Sequence, residues 1–328
     1  MQKLPQISLL GFIALLLAVS LPLQAETAAT QTENQYAVIA PLAEKSLLLD
    51  ISQSEGALVV VGERGHILWS DDNGESWTQA SVPTRNTLTA VHLLNAQLGW
   101  AVGHDGVVLH TQDGGRNWSL QRNAAEDETP LLDVWFRDAN EGFAVGAYGL
   151  LLRTQDGGKS WSQQSVNADD DFHLNKLNVA TGGEIYLSAE AGMLYRSVDA
   201  GNNWQTLESP YEGSLFGLLP LPDNSLLLFG LRGHLFRSND AGDSWQLLKT
   251  ATHALLMDAA VLADGTVLIV GMDGVVLISH DHGQNFQLHP QSNRKGITAI
   301  LNLEQGRLIL VGEAGVRLTT VTELESDK

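Results

Sequence analysis

The sequence predicts an all-β chain, a seven-bladed β-propeller of four-stranded blades. Three observations carry this. First, one short pattern recurs six times: Ser70-x-Asp72-x-Gly74-x-x-Trp77, then the same frame at Thr111/Asp113/Gly115/Trp118, Thr154/Asp156/Gly158/Trp161, Ser197/Asp199/Gly201/Trp204, Ser238/Asp240/Gly242/Trp245 and Ser279/Asp281/Gly283/Phe286. Second, its aromatic residues are spaced by 41, 43, 43, 41 and 41 residues, a period that in strand-like sequence marks one small sheet per repeat. Third, a Gly-x-x-Gly pair precedes each box, at Gly62, Gly103, Gly146, Gly230, Gly271 and Gly312, with Ala189-x-x-Gly192 as a degraded copy. The Gly312 pair reveals a seventh repeat whose box is lost, Thr322 and Leu324 replacing its Asp and Gly. Terminal repeats are often atypical in this way.

The box, an Asp box, reads as a turn. A hydroxyl residue ends one strand, the carboxylate accepts turn N–H groups, and Gly supplies backbone freedom. The aromatic residue starts the returning strand. Five of the eight Trp residues hold this one position, so they read as structural wedges and not as a sugar-stacking row. In the second repeat, Leu88–Leu94, Gly99–Gly103, Val107–Thr111 and Trp118–Arg122 are short apolar or β-branched runs between turn residues, four strands in all.

Repeats run almost without interruption from Leu47 to Thr322, and no composition break divides them. One propeller domain is expected over residues 35–322, with a tail at 323–328. Repeat seven runs out of chain before a fourth strand, while Gln35–Ala40 is a strand-like run left over. These residues are therefore expected to form the outermost strand of blade seven, antiparallel to Val316–Thr322, closing the ring and covering an edge.

The start of the chain reads as a secretory signal peptide over residues 1–25. Lys3 precedes an apolar run from Ile7 to Leu21, Pro22 breaks it, and Ala25 offers a small residue at the cleavage point. The run, about fifteen residues, is short against the roughly twenty needed to span a bilayer. Residues 26–34 are polar and read as a flexible leader. The chain contains no Cys, which excludes disulfides and a lipid-modified Cys and fits a bacterial periplasm. The formal charge is −19, or −20 once Lys3 is removed, and such acidity argues against nucleic acid and anionic lipid surfaces.

Box turns should lie on one face of the disc, and the Gly-x-x-Gly turns with the inter-blade loops on the other. The second face is the candidate partner-binding surface. It collects Glu63, Arg64, His104, Asp105, Tyr148, Glu190, Arg232, Asp273 and Glu313 from the turns. The two loops with extra length add Glu126, Asp127 and Glu128 before the third blade, and Asp169, Asp170 and Asp171 before the fourth. The acidic lobe should favour a basic partner or one with exposed backbone. Three consecutive Asp residues without a calcium-loop frame do not specify a metal, and no cofactor motif occurs.

Asp boxes also occur in sialidases. Those enzymes need an arginine triad, a Tyr and Glu nucleophile pair, an acid/base Asp and an Arg-Ile-Pro element. No Arg-Ile-Pro occurs here, no arginine triad is evident, and pairs such as Tyr148 with Glu190 or Tyr186 with Glu184 are tied to no reaction. Catalysis is not expected.

The block Ala101-Val102-Gly103-x-x-Gly106-Val107-Val108-Leu109-x-Thr111-x-Asp113-Gly114-Gly115-x-x-Trp118, closely repeated from Ala144 to Trp161, resembles the photosystem II stability/assembly factor-like propellers. The resemblance covers about residues 36–322 and implies seven blades. In photosynthetic members it implies a lumenal assembly factor for an unassembled reaction-centre subunit. Many related chains come from non-photosynthetic bacteria, commonly beside exporters of the resistance–nodulation–division type. Three functions stay open: a periplasmic binding or assembly scaffold for membrane or envelope proteins, the photosystem II factor proper, and a glycoside-acting enzyme.

Overall fold

The structure, a computed structural model, describes residues 35–167 and 171–327. The expected signal peptide and leader lie outside the described residues, as do Asp169 and Asp170. From Tyr36 onward the chain forms one compact unit.

Seven antiparallel sheets follow one another along it. Blade 1 consists of Leu48–Ser54, Ala57–Gly62, Ile67–Ser70 and Thr78–Gln79; blade 2 of Leu88–Leu93, Gly99–Gly103, Val108–Thr111 and Ser119–Arg122. Blades 3, 4, 5 and 6 repeat this order, beginning at Leu131, Leu174, Leu215 and Leu256. Blade 7 has three strands, Ile297–Asn302, Arg307–Gly312 and Gly315–Thr320.

Strand two of each blade is apolar on both sides, because each sheet is covered on both faces. In blade 1, Leu58 and Val60 pack against blade 7 while Val59 and Val61 pack against blade 2. Seven apolar clusters result, one at each seam. The box aromatics sit on these seams. Trp118 is buried, and Trp77, Trp161, Trp204, Trp245 and Phe286 are half-buried against neighbouring clusters. They form no exposed row.

Each box carboxylate is held as the pattern predicts, with one addition. The Ser70 hydroxyl donates to Asp72 Oδ1 (2.7 Å) and accepts from the Gly74 amide (3.0 Å). Asp72 also accepts from the Ser76 amide (3.0 Å) and the Ser76 hydroxyl (2.6 Å). Ser or Asn stands before the aromatic in all six copies, as Ser76, Asn117, Ser160, Asn203, Ser244 and Asn285. Each donates twice to its Asp.

The first Gly of each paired motif is needed for close approach. A Cβ on Gly62, Gly103 or Gly146 would overlap the carbonyl oxygen of Leu47, Thr87 or Pro130, the residue just before strand one. The following amide donates to that same carbonyl, as from Glu63 to Leu47 (3.0 Å) and from His104 to Thr87 (2.9 Å). Turn and incoming loop are thus bonded together on one face.

The ring closes differently from expectation. Residues 35–40 form no strand and do not pair with Gly315–Thr320. The Ala37 amide donates to the Val82 carbonyl (2.9 Å), the Ala40 amide to Gln79 Oε1 (2.8 Å), and Arg85 Nε to the Tyr36 carbonyl (2.7 Å), so the segment crosses the outer edge of blade 1. Those bonds are available because strand four of blade 1 has only two residues and leaves its surroundings unpaired. The seam between blades 7 and 1 is closed by side chains. Ala299, Ile309 and Val311 pack on Leu48, Leu58 and Val60, the Thr298 hydroxyl donates to the Leu48 carbonyl (2.9 Å), and Arg307 pairs with Glu75 (2.7 Å). The last strand stops at Thr320 and not at Thr322, and the chain continues into a short helix, Val321–Ser326, which takes in most of the expected tail and has a capping box between Thr320 and Glu323. Its Leu324 is buried at the seam between blades 6 and 7.

Two expectations follow. Leu324→Ala should lower stability by ~2–4 kcal/mol, as for other buried Leu truncations, read from urea unfolding at unchanged m-value. In the boxes, side-chain bonds from Ser76, Asn203 and Ser244 hold Asp72, Asp199 and Asp240 at about 2. The unfolded value is about 3.9, so this stabilisation is complete above that pH and disappears as pH falls through about 2. Asp199→Asn should flatten the acid limb of a Tm–pH curve; an unchanged limb would contradict the assignment.

Candidate functional site: the loop face and the channel beneath it

On the loop face the second variable residue stands in left-handed backbone in six of the seven turns: Arg64, Asp105, Tyr148, Ala191, Arg232 and Asp273 have φ between 54° and 58°. This points a ring of variable side chains away from the blades. Arg64, Tyr148, Arg232 and Asp273 are exposed.

Several other predicted residues fasten loops. Glu63 Oε1 accepts from the Leu47 amide (3.3 Å), Glu190 Oε2 from the His173 amide (3.4 Å) and Glu313 Oε2 from the Gly296 amide (2.9 Å). Asp105 accepts from Asn86 Nδ2 (2.9 Å). His104 is exposed beside it.

The acidic run Glu126, Asp127 and Glu128 is exposed and sits against the blade 2 turn, where the Ala124 amide donates to the Asp105 carbonyl (2.9 Å). Arg122 offsets part of it, 3.8 Å from Asp127. Asp171 is exposed in the loop before blade 4. That loop meets the blade 3 turn through the Gly149 amide and the Phe172 carbonyl (3.0 Å). Here the structure gathers three groups: Tyr148 stands edge-on to His173 with centroids 5.1 Å apart, and His173 Nδ1 lies 3.7 Å from Glu190. Elsewhere on this face a groove of about 610 Å³ is lined by His253, Asp273 and Arg294, among others.

Tyr186 does not fit a nucleophile's role. It is buried, its hydroxyl donates to the Ala241 carbonyl (3.1 Å), and burial raises its pKa. Among the described residues no three His, Cys, Asp or Glu side chains are placed to hold a metal ion.

Beneath the loop face lies a charged group that belongs to neither repeated motif. In every blade strand one carries a bulge, one residue in from its start. The residue after the bulge turns inward, and across the blades it is Asp50, Ala90, Asp133, Lys176, Gly217, Asp258 and Ala299. Each Asp accepts an amide of the next blade: Asp50 from Val91 (2.8 Å), Asp133 from Leu177 (2.7 Å) and Asp258 from Ile300 (2.9 Å). Lys176 Nζ stands 3.8 Å from Asp50 and 3.9 Å from Asp133, joining blade 4 to blades 1 and 3. Burial lowers the Lys176 pKa, but Asp133, Asp50 and Asp258 outweigh it and hold the ammonium above the usual lysine range. One cation does not satisfy three carboxylates. Burial, with Asp50 adding to it, pushes Asp133 and Asp258 up to about 6. The available sequence signal was Asp at an otherwise apolar strand position in three of the seven repeats.

The folded chain therefore binds these two protons more tightly than the unfolded chain, whose value is about 3.9. Their contribution is full below about pH 4 and is lost as pH rises through about 6. Buried His92, lowered to about 4 by burial, pulls the profile the other way, so a variant comparison is needed. Relative to wild type, Asp133→Asn with Asp258→Asn should gain ~1–3 kcal/mol on going from pH 5 to 7.5, read by urea unfolding. A constant difference across that range would refute the assignment.

The sequence matches the family described as Photosynthesis system II assembly factor YCF48 over residues 28–125 and 120–254, more than half of the chain. A Photosystem II assembly protein Ycf48 of Synechococcus sp. (strain JA-3-3Ab) is 36% identical over 66 residues, 19% of this chain; the match spans only 20% of that relative's length. Two solved structures share the fold. One is of YCF48 bound to D1 peptide (TM-score 0.71, 22% identity, 84% of this chain and 94% of that one). The other is of YCF48 from Cyanidioschyzon merolae (TM-score 0.70, 18% identity, 88% and 99%).

Proposed function

Because this chain belongs to the Photosynthesis system II assembly factor YCF48 family, we propose that it is a non-catalytic, protein-binding scaffold that assists assembly of membrane or envelope proteins. The observation that carries the reading is the family match, supported by a fold relative bound to a peptide. The apolar N-terminal run supports action in the periplasm, and an exporter is a candidate partner. The same match supports a second reading, assembly of photosystem II with the D1 polypeptide as partner. Neither reading needs a cofactor. The loop face offers what a scaffold needs, exposed variable side chains on turns fixed by backbone bonds.

Crosslinked affinity capture from membranes, using the chain from Glu26 onward, tests the scaffold reading. Reproducible enrichment of one membrane or envelope protein supports it, and enrichment of D1 in a host with photosystem II selects the second. Turnover of aryl glycosides would overturn both. Reversing Glu126, Asp127 and Glu128 to Lys should weaken capture several-fold. Raising salt should also weaken it, since exposed charges are screened over about 8 Å at physiological ionic strength. Indifference to both would leave the acidic lobe as solvated surface.

A further inference from the structure

Among the described residues blade 7 is one strand short. In the other blades the outermost strand has two to four residues, such as Thr78–Gln79 and Ser119–Arg122. In blade 7 it is Gly315–Thr320, six residues paired with Arg307–Gly312 along their whole length. Backbone groups of alternate residues point away from that partner. The Thr320 amide does so and is taken by Glu323 Oε2 (3.0 Å). The amides and carbonyls of Val316 and Leu318 share this open side, and among the described residues no hydrogen bond reaches them there. Propeller edges are ordinarily short, and a long open edge is a template for another strand.

The surroundings narrow the occupant. Val316 and Leu318 pack with Ala40 and Ala43 at the seam with blade 1. In the same N-terminal segment Val38, Ile39 and Leu42 are 59%, 62% and 70% exposed. At the other end of the chemistry, Gly315 and Arg317 line a small pocket together with Lys295. In a chain with twice as many acidic as basic residues, neither Lys295 nor Arg317 is in an ion pair among the described residues. Arg317 donates to Gln291 (3.1 Å), and nearby Glu313 is occupied by the Gly296 amide.

We propose that the open edge of blade 7 binds an extended segment of a partner polypeptide, paired with the backbone of Val316 and Leu318 and carrying a carboxylate side chain held by Lys295 and Arg317. The proposal rests on the protein-binding reading and narrows it. It assigns recognition to strand addition, where backbone bonds give affinity and alternate side chains give selectivity. It also places an anion-seeking site on a molecule whose loop face is acidic.

The test uses the chain from Glu26 onward and two blocked hexapeptides of alternating Thr and Val, one with Glu at the third position and one with Lys. Binding is read by calorimetry, and site by amide hydrogen exchange. The Glu peptide should bind about tenfold or more tightly than the Lys peptide and slow exchange at Val316 and Leu318. Leu318→Pro removes an outward amide while leaving the bonds to Arg307–Gly312, and Pro is tolerated on edge strands. It should abolish binding while the chain stays folded, at a Tm lowered by the lost Leu318 packing. Should that variant unfold, Lys295→Glu with Arg317→Glu replaces it and should reverse the peptide preference. Equal binding of both peptides, or binding untouched by these changes, overturns the proposal. So does a dimer that Leu318→Pro dissolves, which would make a second copy the occupant. Protection of the two amides that vanishes when residues 26–34 are deleted would instead assign the edge to this chain. Membrane capture that survives Leu318→Pro would leave the scaffold reading intact while removing the edge from it.

Discussion

Packing between neighbouring sheets is the constraint on which the rest of this structure depends. No blade has a face to spare for solvent: Leu58 and Val60 on one side of a strand need blade 7, and Val59 and Val61 on the other need blade 2. A sheet with two apolar faces is stable only between two others, and a row of such sheets is stable only when its ends meet. Seven seams with seven clusters satisfy that condition. The turn chemistry serves it. Each glycine that lets a turn touch the incoming loop, and each box that bonds strand three's end to strand four's start, fixes the edges of a sheet whose faces are already committed.

This explains what was legible in the sequence. Blade number, strand order and the two turn faces follow from residues that repeat because each repeat meets the same steric problem. Gly62 and Gly103 face the same carbonyl clash, and Asp72 and Asp113 collect the same donors. Ser or Asn before each aromatic belongs to that set, but is hard to see in the sequence because the two residue types look unlike as letters although both place a donor on the carboxylate. Closure was not legible. Gln35–Ala40 has strand-like composition, but its hydrogen bonds are decided by what blade 1 leaves unpaired, a property of three-dimensional neighbours. The channel charges were hidden for a related reason. Asp50, Asp133, Lys176 and Asp258 differ in type, lie more than forty residues apart, and become one group only when the ring brings them to its axis.

The same division bears on function. Residues that repeat hold the scaffold, and residues that vary at repeated positions are free of that duty. The left-handed turn residue is Arg64, Asp105, Tyr148, Ala191, Arg232 or Asp273, one backbone geometry at six positions carrying four kinds of side chain. Yet not every polar residue on the loop face is free. Glu63, Glu190 and Glu313 occupy the first variable position of their turns and turn back to a loop amide, so their carboxylates are engaged before any partner arrives. The side chains on this face that are free to meet a partner are therefore fewer than its exposed charges, and they are weighted toward the second turn residue and the two long loops.

Blade 7 shows how little is needed to change an edge. Its turn is one residue tighter, with Gly312 opposite Gly315, where blade 1 pairs Val61 with Ile67 across a longer bend. Its box has lost Asp and Gly but kept the hydroxyl, Thr320, eight residues after Gly312 as Ser70 is after Gly62. In blade 1 that hydroxyl accepts the Gly74 amide and starts a return to strand four. In blade 7 it accepts the Glu323 amide (3.3 Å) and starts a helix. With Glu323 bonding back to the Thr320 amide, the chain turns off the sheet plane and seats Leu324 at the neighbouring seam. The chain after Gly315–Thr320 does not return as a fourth strand because the signal that returns it in six blades here caps a helix, and that substitution leaves the backbone of Val316 and Leu318 unpaired among the described residues.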